Sequence, residues 1–174
     1  ETQLSSDMFI YPYFVVPGTK VVQSIDAMPG ISRLSIDMLL KDVESGLKLG
    51  INKILLFGVG EMKTSEAQSA YDAHSVVADA VRALKKKFGE SLYVITDICL
   101  CAYTTHGHCG LLDHDVILND PSLEVLAKMA LTHTEAGADM VAPSDMMDGR
   151  IKAIRSKLDE NGFDLLFGPR GHGR

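Results

Sequence analysis

Four times along this chain a short apolar run is followed by a segment with apolar residues at helical spacing, and each such segment stops at a glycine. The runs lie near residues 10–16, 53–58, 92–98 and 139–143, and their β-branched and aromatic content predicts strands. Ile36, Leu39, Leu40, Val43 and Leu47 predict a first amphipathic helix after Ser35. A second is predicted by Ala73, Val76, Val77, Ala80, Val81, Leu84 and Phe88. Leu123, Leu126, Met129 and Ala130 form the third, opened by Asn119 as cap beside Pro121, and Ile151, Ile154 and Leu158 form the fourth. Gly50, Gly89, Gly137 and Gly162 close them in turn. Strand then helix, repeated roughly every 40 to 45 residues, is the pattern of an α/β protein with a parallel sheet.

An open doubly wound sheet and a TIM (β/α)8 barrel share that pattern. Two features favour the barrel. Polar and reactive residues gather where the third and fourth strands end: Asp97, Cys99 and Cys101, then Ser144 and Asp145. Barrel enzymes keep their chemistry at those ends. The dinucleotide fingerprint is also missing. Gly58-Val59-Gly60 follows a strand, but Lys63 stands where the third glycine is required, so the segment reads as a plain loop. A whole barrel takes eight units and about 250 residues. The expectation is therefore one partial barrel domain over residues 1–174, with four βα units and a divergent tail at 164–174. A fifth strand could begin in Phe163-Asp164-Leu165-Leu166-Phe167.

The three cysteines, Cys99, Cys101 and Cys109, all lie within eleven residues, among His106 and His108 and just after Asp97. Clustered thiols beside imidazoles suit a borderline or soft divalent metal, Zn²⁺ first. Three protein ligands leave a position open for water or substrate, as catalytic zinc requires. If the third strand continues through Cys101, its period of two points Asp97, Cys99 and Cys101 to one face, and Cys109 returns from a loop turned by Gly107 and Gly110. Inert buried thiols and a disulfide are the competing readings. Asp97 reads as a proton-handling carboxylate or a strand-end group satisfied by backbone N–H donors. Ser144 and Asp145 read equally as pocket residues or loop caps. His106 and His108 read as ligands or as loop hydrogen-bonding groups.

A net charge of −6 argues against a nucleic-acid surface. The Lys85-Lys86-Lys87 run falls at the end of the second helix, where it complements the dipole and reads as a solvated face. No apolar run approaches the length of about 20 residues needed for a membrane span. Clustered thiols fit a reducing compartment, the cytoplasm, or a plastid stroma if a transit peptide has been removed.

These strings resemble one family, 5-aminolevulinate dehydratase, also called porphobilinogen synthase. Ala27-Met28-Pro29-Gly30-Ile31-Ser32-Arg33 resembles its early Ser-Met-Pro-Gly-Val-x-Arg segment. DICLCAYTTHGHCGLL, from Asp97 to Leu112, resembles its metal-binding signature. APSDMMDGR, from Ala142 to Arg150, resembles a second signature, and Ala153-Ile154-Arg155 with Leu158-Asp159 continues it. The resemblance implies a (β/α)8 barrel, assembled as a homo-octamer through an N-terminal arm. It implies condensation of two 5-aminolevulinate molecules to porphobilinogen with loss of water, in tetrapyrrole and heme biosynthesis. By position, Cys99, Cys101 and Cys109 match the catalytic zinc ligands. Asp97 matches an active-site aspartate, and Ser144 and Asp145 match pocket residues. His108 matches a histidine linked in some members to a second, weaker metal site, and an additional Mg²⁺ is a further cofactor the resemblance implies.

The chain departs from the family in one respect. The chemistry needs two lysines that form Schiff bases with the substrates. Their Ser-Tyr-Ser-Ala-Lys and Val-Lys-Pro-Gly contexts do not occur in these 174 residues. Gly168-Pro169-Arg170 resembles a family Tyr-Gly-Pro-Phe-Arg segment only faintly. Lys63 and Lys152 read as surface or loop charges. The expectations are thus a zinc-dependent synthase whose 174-residue stretch is inactive alone, a non-catalytic truncated paralogue serving as a metal-binding or assembly module, or another barrel lyase or aldolase.

Overall fold

The computed structural model describes residues 3–60 and 62–164. The tail from 165 onward, including most of the candidate fifth strand and Gly168-Pro169-Arg170, lies outside the described residues. Eight strands and four helices follow in the order β1 (Tyr11–Val15), β2 (Val22–Ser24), β3 (Ser32–Leu34), α1 (Ile36–Lys48), β4 (Lys53–Gly58), α2 (Val76–Phe88), β5 (Tyr93–Ile98), β6 (Leu111–Asp113), β7 (Val116–Leu118), α3 (Asn119–Glu135), β8 (Met140–Pro143) and α4 (Arg150–Glu160). Among these, β1, β4, β5 and β8 lie side by side and parallel, each pair joined through a helix. They are four consecutive βα units of a (β/α)8 barrel.

Alternation along the strands assigns two faces. Tyr13 and Val15 of β1, Ile54 and Leu56 of β4, Val94, Thr96 and Ile98 of β5, and Val141 of β8 are buried. One apolar core joins β1, β4 and the start of β5 to α1 and α2 through Leu39, Val43, Val77, Val81 and Leu84. A second joins Ile98 and Val141 to α3 and α4 through Leu126, Met129, Ile154 and Leu158. The other face carries Pro12, Phe14, Leu55, Phe57, Asp97 and Ala142, all partly open, and Ile95, which is buried. Phe14 and Phe57 stack there at 5.2 Å between ring centroids. The apolar run of β4 therefore reads as a strand buried on both faces, yet only its helix-facing side is sealed among the described residues.

Several local expectations need correction. Ala73 precedes α2 and is exposed, and Ile151 of α4 is exposed as well. Asn119 does not cap α3: it lies inside the helix, and its side chain bonds elsewhere. Lys85 is not solvated: its ammonium donates to Asp139 at 3.0 Å and to Leu92 O at 3.1 Å. The long connection after β1 holds the antiparallel β2–β3 pair, and β6–β7 form a second hairpin. No helix among the described residues is long and apolar enough to cross a membrane.

Candidate metal and substrate site

The strand that leads to the cysteines ends sooner than its alternation suggests. β5 stops at Ile98. Beyond it the backbone turns on Leu100, whose carbonyl accepts the N–H groups of Tyr103 at 2.9 Å and Thr104 at 3.0 Å. This turn, and not an extended strand, brings Cys101 back to Cys99, leaving the two sulfurs 3.4 Å apart. Cys109 arrives from the following loop, which Thr104 anchors by donating its hydroxyl to His108 O at 3.0 Å. The three Sγ atoms lie within 4.8 Å of one another, and all three thiols are free. Cys99 is buried, while Cys101 and Cys109 are partly open.

Three sulfurs at this spacing fit one tetrahedral ion: bonds of about 2.3 Å would set them roughly 3.8 Å apart. Thiolate is the softest donor a protein offers and selects Zn²⁺ over Mg²⁺ or Ca²⁺. Burial pushes the Cys99 and Cys101 thiols up, so a cation is needed to hold them as thiolates at neutral pH. Neither Asp97 nor the histidines join the sulfur group. His108 is exposed, its N–H donating to His106 Nδ1 at 3.2 Å, and the two rings lie 5.6 Å apart. His106 Nε2 is buried without a hydrogen-bond partner among the described residues.

Beside the sulfurs, pairing of Asp97 with Ala142 brings the ends of β5 and β8 level. The chain after β8 is tied back by Ser144 N–H donating to Ile98 O at 3.2 Å. The Ser144 hydroxyl then donates to Asp97 Oδ1 at 2.6 Å. Burial pushes the Asp97 carboxyl above the ordinary carboxylate range; the Ser144 hydrogen bond opposes this and the nearby Asp145 charge adds to it. Asp145 is buried, and burial raises it too, against the Met147 N–H bond at 2.8 Å and the Arg150 guanidinium, whose Nε stands 3.5 Å away. Burial raises both carboxyls, and the Asp145 charge raises Asp97 further, which suits Asp97 to holding and passing a proton.

The structure thus brings together Cys99, Cys101 and Cys109 as one group and Asp97 with Ser144 as another, with Asp145 behind them; it keeps His108 at the surface. Sequence reasoning missed Arg150, Asn119 and Ser122. Arg150 ends the APSDMMDGR string and was legible only as part of it. Asn119 and Ser122 stand in an Asn-Asp-Pro-Ser helix opening that reads as capping chemistry alone.

Comparison with known proteins bears on the family of the chain. The family model described as "Delta-aminolevulinic acid dehydratase" matches residues 1–166. A delta-aminolevulinic acid dehydratase of Methanothermus sociabilis is 50% identical over 164 residues, covering 94% of this chain and 51% of its own length. One from Ruminiclostridium josui is 47% identical, with 94% of this chain and 79% of its own length covered. Among solved structures, the Toxoplasma gondii ME49 delta-aminolevulinic acid dehydratase (porphobilinogen synthase), in complex with the reaction product porphobilinogen, superimposes with a TM-score of 0.90. It is 38% identical, and the match covers 94% of this chain and 47% of that one. The chain spans about half the length of most curated relatives it matches. On residues, site geometry and fold together, the chain belongs to the delta-aminolevulinic acid dehydratase family.

Proposed function

We propose that this chain carries the metal-binding half of a porphobilinogen synthase site, zinc-dependent, acting in the condensation of two 5-aminolevulinate molecules to porphobilinogen with loss of water. The observation that carries this reading is the convergence of three thiols within 4.8 Å at the carboxyl end of β5, next to Asp97. A zinc ion held by Cys99, Cys101 and Cys109 supplies an open position that polarises a carbonyl, amine or water. Asp97 stands on the unsealed face of the sheet and can accept a proton from a bound amine or hold an ammonium group. Ser144 fixes the rotamer of that carboxylate through its 2.6 Å hydrogen bond. Asp145, held by the Met147 N–H and faced by Arg150, keeps negative charge beside Asp97 and so favours the protonated form there. His108 is the candidate for a second, weaker metal site, and Mg²⁺ is a further candidate cofactor. A homo-octamer is the expected assembly, and the cytoplasm or a plastid stroma the expected compartment.

The Schiff-base lysine contexts are absent from the 174-residue sequence. Turnover accordingly requires a lysine-bearing second half. The other reading is a metal-binding or assembly module without chemistry of its own, for which the sulfur group alone would suffice. The test mixes the zinc-loaded chain with the C-terminal half of the Methanothermus sociabilis relative and measures porphobilinogen colorimetrically. The proposal predicts no product from the chain alone, product from the mixture, and loss of product when Cys99, Cys101 and Cys109 are changed to Ala. Zinc binding with no product in the mixture supports the module. Failure of the chain to bind zinc refutes both.

A further inference from the structure

Two loops build the site, and the first turn of α3 holds both. Behind Cys109, the Leu111 N–H donates to Ser122 Oγ at 2.8 Å, and that hydroxyl donates onward to Leu118 O at 2.5 Å. Ser122 is completely buried. On the same turn, Asn119 clasps the loop that carries Ser144 and Asp145. Its Oδ1 accepts the Asp148 N–H at 2.8 Å, and its Nδ2 donates to Asp148 O at 3.1 Å, as a paired strand would. The two loops also meet directly. A Cβ on Gly110 would fall 2.9 Å from Ser122 Oγ and 3.0 Å from Met147 Sδ, so serine, glycine backbone and thioether share one packed point next to Cys109. Met147 is buried and lies between Asp145 and Asp148 in the chain.

We propose that Ser122 and Asn119 are positioning residues: the first turn of α3 sets Cys109 against the other two thiols and sets the Ser144–Asp145 loop beside them. Neither side chain is among the sulfur group; each acts through backbone it holds. The inference rests on reading the thiols as a metal centre. Partners that orient a ligand without touching the ion typically govern affinity by about 10- to 100-fold. A cap or packing residue with no such role would change the stability of the fold and leave the donor set alone.

The test titrates the 174-residue chain with Co²⁺ and follows the sulfur-to-cobalt charge-transfer band, with far-UV circular dichroism as the fold control. The wild-type chain gives a three-thiolate band. Ser122→Ala is expected to weaken Co²⁺ binding about tenfold and to lower the band per cobalt by about one third, the share of one thiolate in three. Ser122→Thr, which keeps the hydroxyl, restores both. Asn119→Ala, at a partly exposed position, weakens binding by about tenfold or somewhat less. Lys85→Ala destabilises the opposite ends of the strands and leaves cobalt binding unchanged. The proposal is overturned if Ser122→Ala and Asn119→Ala bind cobalt as the wild type does, or if Lys85→Ala weakens binding as much as they do. Should Ser122→Ala not fold, Asn119→Ala decides alone. A wild-type chain that takes up no cobalt removes the metal reading itself, a result seen before any substitution is made.

Discussion

Lys85 and His133 show how far single residues can depart from the pattern around them. Lys85 sits in a run of three lysines, yet only it reaches inward, to Asp139 and Leu92 O. Asp139 in turn accepts the Val94 N–H at 2.8 Å, so the pair joins α2 to the beginnings of β5 and β8. Removing the ammonium takes from this buried carboxylate the cation that stands 3.0 Å away. Lys85→Ala should cost about 3 kcal/mol in urea unfolding, while Lys86→Ala, on the exposed side, should stay within about 0.5 kcal/mol. His133 is buried in α3, and neither ring nitrogen has a hydrogen-bond partner among the described residues. Burial pushes it down from 6.5 to about 3. The unfolded chain takes up this proton near 6.5 and the folded chain resists until about 3. Stability is therefore full above that upper value and falls by about 1.4 kcal/mol per pH unit below it. His133→Leu should flatten this part of the profile, as read by the urea midpoint between pH 7 and pH 4.

At the scale of elements, helices and long strands follow from apolar periodicity. β4 falls on Lys53–Gly58 and α2 ends against Gly89, as their patterns predict. The short pairs do not follow. β6 and β7 have three residues each, too few to show alternation, and their turn residues His114 and Asp115 take φ of 44° and 67° without a glycine to announce it. The thiol group was legible in residue type and not in geometry. Alternation would have aligned Asp97, Cys99 and Cys101 along one strand face, but the hydrogen bonds to Leu100 O make a turn there instead. The partners of Lys85 and Asn119 lie far along the chain, where no local pattern reports them. The hairpin and α3 meet at Gly110, which has no room for a side chain. Gly110→Ala should displace Ser122 or Met147, lower stability by about 1–3 kcal/mol in urea unfolding and weaken metal binding in parallel.

Across the whole molecule, one sheet face is sealed by four helices, and the other holds the site. Phe14, Phe57, Asp97 and Ala142 share that second face, and the sulfurs lie at its carboxyl end. The division is the one a barrel enzyme uses, with stability on the helical side and chemistry at the strand ends. It also separates the roles of the sequence signatures. APSDMMDGR supplies Ser144 and Asp145, DICLCAYTTHGHCGLL supplies Asp97 and the sulfur group, and the first turn of α3 bonds to both loops.

Zinc K-edge X-ray absorption on the purified, zinc-loaded chain reads the donor set of the sulfur group. One ion per chain is expected, with three sulfur neighbours at about 2.3 Å and one lighter oxygen or nitrogen neighbour. A spectrum with no sulfur shell, or one unchanged when Cys99, Cys101 and Cys109 are replaced by Ala, would contradict it.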